Sequence, residues 1–169
     1  MAGLRAYGLY LAWIVALVAT AGSLYFSEVR LFVPCTLCWY QRILMYPLVI
    51  VLGIASYRQD RGIIPYALPL SVFGGSIALF HYLEQKVPGF GVPNLCRAGG
   101  VPCNTDYINW LGFITIPFLA LIAFTLITLV LTGTWWATRK EALDPGLHLA
   151  AAPAERLVPR REVTGPESL

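Results

Sequence analysis

Residues 111–132, LGFITIPFLALIAFTLITLVLT, form an apolar stretch without a charged side chain. About 20 apolar residues in a helix are enough to cross the roughly 30 Å hydrocarbon core of a membrane. Three more stretches have the same character, with Arg42 as the one charged residue among them: 7–26, 38–57 and 62–83. The sequence therefore predicts an all-α membrane protein whose fold is a bundle of four transmembrane helices.

The amino-acid composition supports this interpretation and excludes several soluble classes. Of the 169 residues, 57% are hydrophobic and only 12% are charged. That charged fraction is about half of the roughly 25% found in an average soluble domain. So few charges cannot supply the polar surface of a soluble enzyme, and they argue equally against a disordered chain and a nucleic-acid-binding protein. We expect the lipid bilayer as a partner and no nucleic acid.

The distribution of basic residues predicts the orientation of the bundle. With four spans, eight basic residues fall on one side and three on the other, and cytoplasmic loops are the ones enriched in Lys and Arg. The two groups are Arg5, Arg58, Arg61, Arg139, Lys140, Arg156, Arg160 and Arg161 against Arg30, Lys86 and Arg97. Both termini are thus predicted to be cytoplasmic, and the loops 27–37 and 84–110 are predicted to face outward.

Two regions of the chain are distinguished by composition. Residues 1–138 are predicted to form the membrane domain, and residues 139–169, which mix charges with Ala, Pro and Gly, to form a mobile cytoplasmic tail. The N-terminal stretch also resembles a secretory signal, with small residues at 19–21 as a cleavage site. Its long apolar run favours a retained first span.

Cys35 and Cys38 form a C-x-x-C pair at the start of the second span. Free N–H groups and the helix dipole at such a position stabilise a thiolate, the species that attacks disulfides. Arg42 follows Cys38 by four residues and shares its helix face, where it could stabilise an anionic thiolate or a bound oxidant. The alternatives are two unpaired buried thiols and an arginine that extends to the lipid headgroups.

Cys96 and Cys103 form a second close pair, in the outward loop 84–110. Six residues, two of them glycines, separate the pair, so the loop can close a disulfide that either braces the loop or exchanges with a partner. Zinc bound by the four cysteines is a further alternative, but the second spacing is loose and the outward compartment is oxidising. We therefore predict no metal.

One histidine, His81, lies toward the outward end of the third span. It is either a packing residue or a residue that lines a pocket near Arg42. Oxidising a dithiol requires an acceptor for two electrons, and the sequence has no nucleotide, haem or iron–sulfur motif to hold one. A quinone dissolved in the membrane needs no such motif and is the predicted cofactor.

Two stretches of the sequence resemble a known family. Residues 34–42, PCTLCWYQR, are similar to the signature of the DsbB/BdbC disulfide oxidases, and residues 108–117, INWLGFITIP, agree with it. The resemblance covers about residues 7–135. The short spacing of Cys96 and Cys103 resembles the BdbC branch of the family.

The resemblance implies an order of electron transfer. Cys96 and Cys103 would form the disulfide that oxidises a thioredoxin-fold, DsbA/BdbD-like thiol oxidase, with Cys96 caught in the mixed disulfide. The electrons would then pass to the first pair, in which Cys35 exchanges with the second pair and Cys38 lies next to the quinone.

The same resemblance implies a binding site and a location. Arg42 and His81 would flank the pocket of the quinone, either ubiquinone or menaquinone. The protein would lie in the bacterial plasma (inner) membrane, with its cysteine loops facing outward, and would support disulfide formation outside the cytoplasm.

Two other functions remain open at this stage. The chain could be a structural membrane protein whose disulfides only brace its loops. It could also be a quinone reductase similar to vitamin K epoxide reductase, although the C-x-x-C pair next to the quinone lies late in the chain in those proteins and precedes the second span here.

Overall fold

The structure, a computed structural model, describes residues 2–87, 102–103, 107–108 and 113–143. Four long helices contain most of these residues: α1 (Ala2–Leu24), α2 (Thr36–Arg58), α3 (Ile64–Lys86) and α4 (Ile116–Leu143). Each coincides with a segment long and apolar enough to cross a membrane. The predicted fold class, an all-α bundle of four membrane helices, is confirmed.

Short connections fix the direction of the first three helices. A π-helical turn, Tyr25–Val29, extends α1 before the loop to α2. At the other end of the bundle, Gln59 adopts a left-handed conformation that ends α2, and Asp60 caps the single 3₁₀ turn before α3 by accepting a hydrogen bond from Gly62 N–H at 2.9 Å. Because both connections are short, successive helices run in opposite directions.

Helix α4 differs in its bounds from the predicted span 111–132. It begins at Ile116. Pro117 is tolerated in the first turn, because backbone N–H groups at that position have no partner within the helix. It continues to Leu143, past the predicted end of the membrane domain, and the Arg139 guanidinium lies 4.2 Å from the centre of the Trp135 ring. The predicted tail beyond residue 143 lies outside the described residues.

The packed core occupies the centre of the bundle. Each helix packs against the helices that precede and follow it in the chain, and α1 packs against α4. Small residues on α1 allow close approach, and larger side chains of the other helices fill the interior. The fully buried members of this core include Ala12, Ala16, Leu48, Leu52, Ile64, Ala78, Phe124, Ile127 and Leu131.

One glycine is essential for the contact between α3 and α4. A Cβ at Gly74 would overlap the ring of Phe124, whereas a Cβ at the neighbouring Gly75 would meet Phe124 Cβ at an ordinary 3.6 Å. We expect Gly74→Ala to cost about 1–3 kcal/mol of stability, the usual range for overpacking a well-packed core. Gly75→Ala is the matched control and should leave stability unchanged or slightly raised. Thermal unfolding in detergent compares the two; equal unfolding temperatures would contradict the packing described.

Candidate functional site: two thiols, a histidine and a membrane-side cavity

Cys35 occupies the N-cap position of α2, where its Sγ accepts a hydrogen bond from Cys38 N–H at 3.4 Å. Both cysteines carry free thiols, and their Sγ atoms lie 3.1 Å apart. The backbone of the first helical turn thus holds the two sulfur atoms close enough to form a disulfide after a small rearrangement. Cys35 is 4% exposed, so its thiol is shielded from bulk water, whereas Cys38 is half-buried.

His81 links the first cysteine pair to the loop that follows α3. Its Nε2 lies 3.6 Å from Cys35 Sγ and 3.2 Å from the carbonyl oxygen of Cys103. That carbonyl can only accept, so Nε2 carries the proton, and Nδ1 accepts from the Gln41 amide at 3.1 Å. The imidazole is 1% exposed, and these contacts fix its tautomer and its orientation.

Cys103 lies directly beside the first pair. It is disulfide-bonded and 2% exposed, and it packs with Cys35 and Leu37 in one buried cluster. A hydrogen bond of 3.4 Å from the Gln85 side-chain amide to the Cys103 carbonyl adds a second tether. Cys96, its predicted partner, lies outside the described residues. Of the four predicted redox cysteines, the structure therefore brings together the three that it describes.

Arg42 is half-buried and is held by groups of the bundle. Its guanidinium donates to Ser23 Oγ at 2.9 Å and to the Ser23 carbonyl at 3.0 Å, and it lies 5.5 Å from the centre of the Trp39 ring. These contacts keep the cation at the wall of the bundle interior, which disfavours the alternative of a side chain extended to the headgroups. Ser23 was not identified from the sequence, since it lies on another helix.

A cavity of about 500 Å³ lies at this end of the bundle. Apolar side chains of α1, α2 and α4 form most of its wall, and Cys35, Cys38, Arg42 and His81 also line it. Exposed lining residues such as Val18 and Ile122 show that the cavity reaches the outer face of the bundle. The cavity has a mostly apolar wall with a few polar groups. This wall and the cavity volume are typical of a binding site for a small organic ligand.

Aromatic rings cover the cavity near the connecting loops. The ring of Phe32 stacks on Phe26 and on Tyr107, with centroids 6.1 and 4.8 Å apart, and all three residues line the cavity. The stacked rings therefore form one continuous aromatic part of the cavity wall.

Comparison with known proteins agrees with this geometry. The family model for "Disulfide bond formation protein DsbB" matches residues 5–134. The chain belongs to the DsbB family. Disulfide bond formation protein C of Bacillus subtilis (strain 168) is 63% identical over 119 residues, which cover 70% of this chain and 86% of the relative. A probable disulfide formation protein of Coxiella burnetii (strain CbuK_Q154) is 47% identical over 138 residues, covering 82% and 94%. No solved structure matches the chain significantly.

Membership of the DsbB family establishes the general class of the protein. Its relatives are named for disulfide formation, so the chain is a disulfide oxidoreductase of the DsbB type. Together with the four apolar helices, the family also makes it a multi-pass membrane protein. The resemblance seen in residues 34–42 is confirmed.

The two thiols and the histidine could also hold a metal ion. Sγ of Cys35, Sγ of Cys38 and a ring nitrogen of His81 all lie within 4.8 Å of one another. This group differs from the four-cysteine zinc site considered from the sequence, because its third ligand is an imidazole. Disulfide exchange requires both sulfur atoms free, so redox measurements on this DsbB-family protein should include a chelator.

The environment of Cys35 favours its thiolate. The hydrogen bond with the Cys38 side chain lowers the pKa of Cys35 to about 4; burial opposes this change, and His81 adds to the lowering. An ordinary cysteine has a pKa of about 8.5. Because the pKa is lowered, the thiolate is present above about pH 4 and is protonated as the pH falls through that value.

This shift predicts a titration that can be measured directly. In reduced protein with Cys96→Ser and Cys103→Ser, only the first pair remains, and the ultraviolet absorbance of the thiolate follows it. We expect a midpoint at about pH 4, absent from the same protein with Cys35→Ser. His81→Ala should move the midpoint upward. A midpoint at the ordinary value of about 8.5 would show that these contacts do not stabilise the thiolate.

Proposed function

We propose that the protein is a membrane thiol oxidase that reoxidises a DsbA-like thioredoxin-fold disulfide donor and passes the electrons through its two cysteine pairs to a membrane quinone. The observation that carries the proposal is the position of the first pair. Cys35 contacts the buried Cys103 cluster on one side, and Cys35 and Cys38 line the apolar cavity on the other.

The first proposed step is an exchange between the partner and the second pair. Two thiols of the partner reduce the Cys96–Cys103 disulfide, so that one S–S bond breaks, another forms in the partner, and two electrons and two protons move to this chain. We assign Cys96 the mixed disulfide with the partner. Cys103 is too deeply buried for direct attack, since only 2% of its surface is exposed.

The second proposed step moves the electrons inward. The thiolate of Cys103 attacks Cys35 in an oxidised Cys35–Cys38 pair, Cys96 then attacks Cys103, and the second disulfide re-forms while both thiols of the first pair become free. A low pKa favours the thiolate of Cys35 once the pair is reduced, which drives this direction of exchange. His81 contacts Cys35 and the Cys103 carbonyl at once, so its Nε2–H group holds Cys35 and Cys103 next to each other.

The cavity fits a quinone. A Cβ added at Gly22, in the cavity wall, would meet no atom of the described residues within 4 Å, so the wall leaves open space at this position. A bound quinone supplies an acceptor for two electrons and two protons. Cys38, Arg42 and His81 would hold it: the two sulfur atoms deliver the electrons, and the guanidinium fixed by Ser23 favours negative charge at this end of the cavity.

The basic residues at the two ends of the bundle suggest its orientation in the membrane. The site end of the bundle carries Arg30 and Lys86, whereas Arg58, Arg61, Arg139 and Lys140 lie at the opposite end. By the positive-inside rule, we propose that the site lies on the outer side of the bacterial plasma membrane, where disulfides form and persist.

The test is quinone-coupled oxidation of a dithiol partner by the purified protein. Reduced DsbA-like partner, protein and a short-chain ubiquinone or menadione are mixed with a chelator, and quinone and partner thiols are followed together. We expect one quinone reduced for each partner disulfide formed. Gly22→Leu should raise the KM for quinone without changing the KM for the partner, because leucine fills the open space. An unreduced quinone in the wild-type reaction would refute the proposal.

Thiol trapping in cells distinguishes the oxidase from a structural protein with braced loops. Replacing Cys103 by serine should leave Cys96 linked to the partner in a mixed disulfide. A structural protein would give no such adduct. Membership of the DsbB family favours the oxidase over a reductase similar to vitamin K epoxide reductase.

A further inference from the structure

Two buried hydroxyl groups in the cavity wall have no hydrogen-bond partner among the described residues. They are the hydroxyls of Tyr46, on α2, and of Thr115, which directly precedes α4. Both residues line the cavity that also contains Cys38. Thr115 is 1% exposed, and the Tyr46 oxygen is likewise inaccessible to solvent.

Such groups are unusual, because a buried hydroxyl without a partner is unfavourable and most buried polar atoms are paired. The Thr115 hydroxyl is at a position where a hydrogen bond to the helix backbone is normally available. Its carbonyl accepts from Leu119 N–H at 3.1 Å, as the residue before a helix does, and a threonine there normally uses its hydroxyl to cap the first turn. In this chain the hydroxyl makes no such bond within the described residues.

The two hydroxyls are placed to act on one ligand together with the cysteine pair. Cys38, Arg42 and Tyr46 follow one another at four-residue intervals, so they share one face of α2. Helical side chains lean toward the helix N-terminus, which directs Tyr46 back toward Cys38. Thr115 lines the same cavity from the position directly before α4. The ligand therefore meets one hydroxyl donor from α2 and one from the start of α4.

We propose that the hydroxyls of Tyr46 and Thr115 are hydrogen-bond donors that position the carbonyl oxygens of the quinone in this cavity. The inference rests on the proposed function and adds two binding residues to it. Quinone oxygens only accept hydrogen bonds, and each hydroxyl has a proton that no described protein group accepts. The bound ligand would satisfy both hydroxyls, which offsets the cost of burying them.

The test measures binding in the absence of any dithiol partner, so that turnover plays no part. Quinone is titrated into delipidated protein and quenching of tryptophan fluorescence gives the Kd. We expect Tyr46→Phe and Thr115→Val each to weaken binding roughly threefold to tenfold, the loss typical of one hydrogen bond. The unfolding temperature of the quinone-free variants should stay the same or rise, because each loses an unsatisfied buried hydroxyl.

Thr20→Val is the matched control. The Thr20 hydroxyl is also buried and without a partner among the described residues, but Thr20 does not line the cavity. Its replacement should affect unfolding in the same way and leave the Kd unchanged. Thr115→Ser, which keeps a hydroxyl, should retain most of the affinity.

The outcomes separate the two proposals. Wild-type affinity in both Tyr46→Phe and Thr115→Val overturns this inference while leaving the oxidase proposal intact. Wild-type protein that binds no quinone refutes the oxidase proposal itself. A fall in unfolding temperature of the quinone-free variants with unchanged Kd assigns the hydroxyls a structural role and also overturns the inference.

Discussion

We expect Cys38→Ser to reduce quinone-coupled oxidation of the partner to the rate of the uncatalysed reaction. Serine fits the site and keeps a hydrogen-bond donor next to Cys35, whose Sγ lies 3.1 Å from that of Cys38. However, a hydroxyl cannot form the Cys35–Cys38 disulfide, so the first pair can no longer take electrons from the second pair and deliver them to the cavity. The measurement is quinone reduction at saturating partner dithiol.

The same variant should accumulate a trapped species. In this variant Cys35 is a lone thiolate that attacks Cys103 in the Cys96–Cys103 disulfide and releases Cys96 as a thiolate, and no Cys38 thiol is present to displace Cys103 from Cys35. We expect a Cys35–Cys103 disulfide, identified by proteolysis and mass spectrometry without reductant. The two residues already pack in one buried cluster, so the bond requires only a local movement. Thr36→Ser, inside the same motif, is the control and should turn over normally. Turnover by Cys38→Ser near the wild-type rate would refute the two-pair mechanism.

Much of the fold could be predicted because it depends on local sequence. An apolar run such as 7–26 has to form a helix in a membrane, since a helix satisfies its own backbone groups. The exact bounds of α4 could not be predicted in the same way, because the charge-free run begins before Pro117 and the helix continues through the charged residues around Arg139. Hydropathy indicates which segment can lie in the lipid, and the helix itself can extend beyond that segment.

The site was predictable as a set of residues and less so as a set of contacts. The C-x-x-C spacing places Cys35 and Cys38 together, because residues at positions i and i+3 are neighbours in a helical turn. The contact of Gln41 with His81 joins residues 40 positions apart and depends on how α2 and α3 are rotated against each other. Only the spacing of Gln41 three residues after Cys38 could have suggested it.

His81 shows what the structure adds. The sequence left two roles open, a packing residue or a residue that lines a pocket near Arg42, and in the structure His81 lines the cavity that Arg42 also lines. Its closest polar contacts, however, are to Cys35, Gln41 and the Cys103 carbonyl. The histidine therefore lies between Cys35 of the first pair and Cys103 of the second. No sequence signal indicates this, because Cys103 belongs to a loop whose path is not determined by periodicity.

Replacing Arg42 by methionine should raise the KM for quinone about tenfold to a hundredfold, the effect typical of losing hydrogen bonds or interactions made by a charged group. Methionine is also long and unbranched, so it preserves most of the packing against Trp39 while removing the positive charge. The guanidinium is fixed by two bonds to Ser23, 2.9 and 3.0 Å long, and lies one helical turn from Cys38 in the cavity wall. Its loss removes the cation that favours negative charge there.

The position of Arg42 makes the prediction specific to one substrate. The KM for the partner dithiol should not change, since the proposed mechanism has the partner react with Cys96 in the loop and not with a group in the cavity. Arg42→Lys keeps the charge but cannot reproduce both bonds to Ser23, so we expect an intermediate KM for quinone. Ser23→Ala should act in the same direction and more weakly, because it removes one of the two bonds and leaves the charge. A wild-type KM for quinone in Arg42→Met, accompanied by a lower unfolding temperature, would make the arginine a structural clamp between α1 and α2.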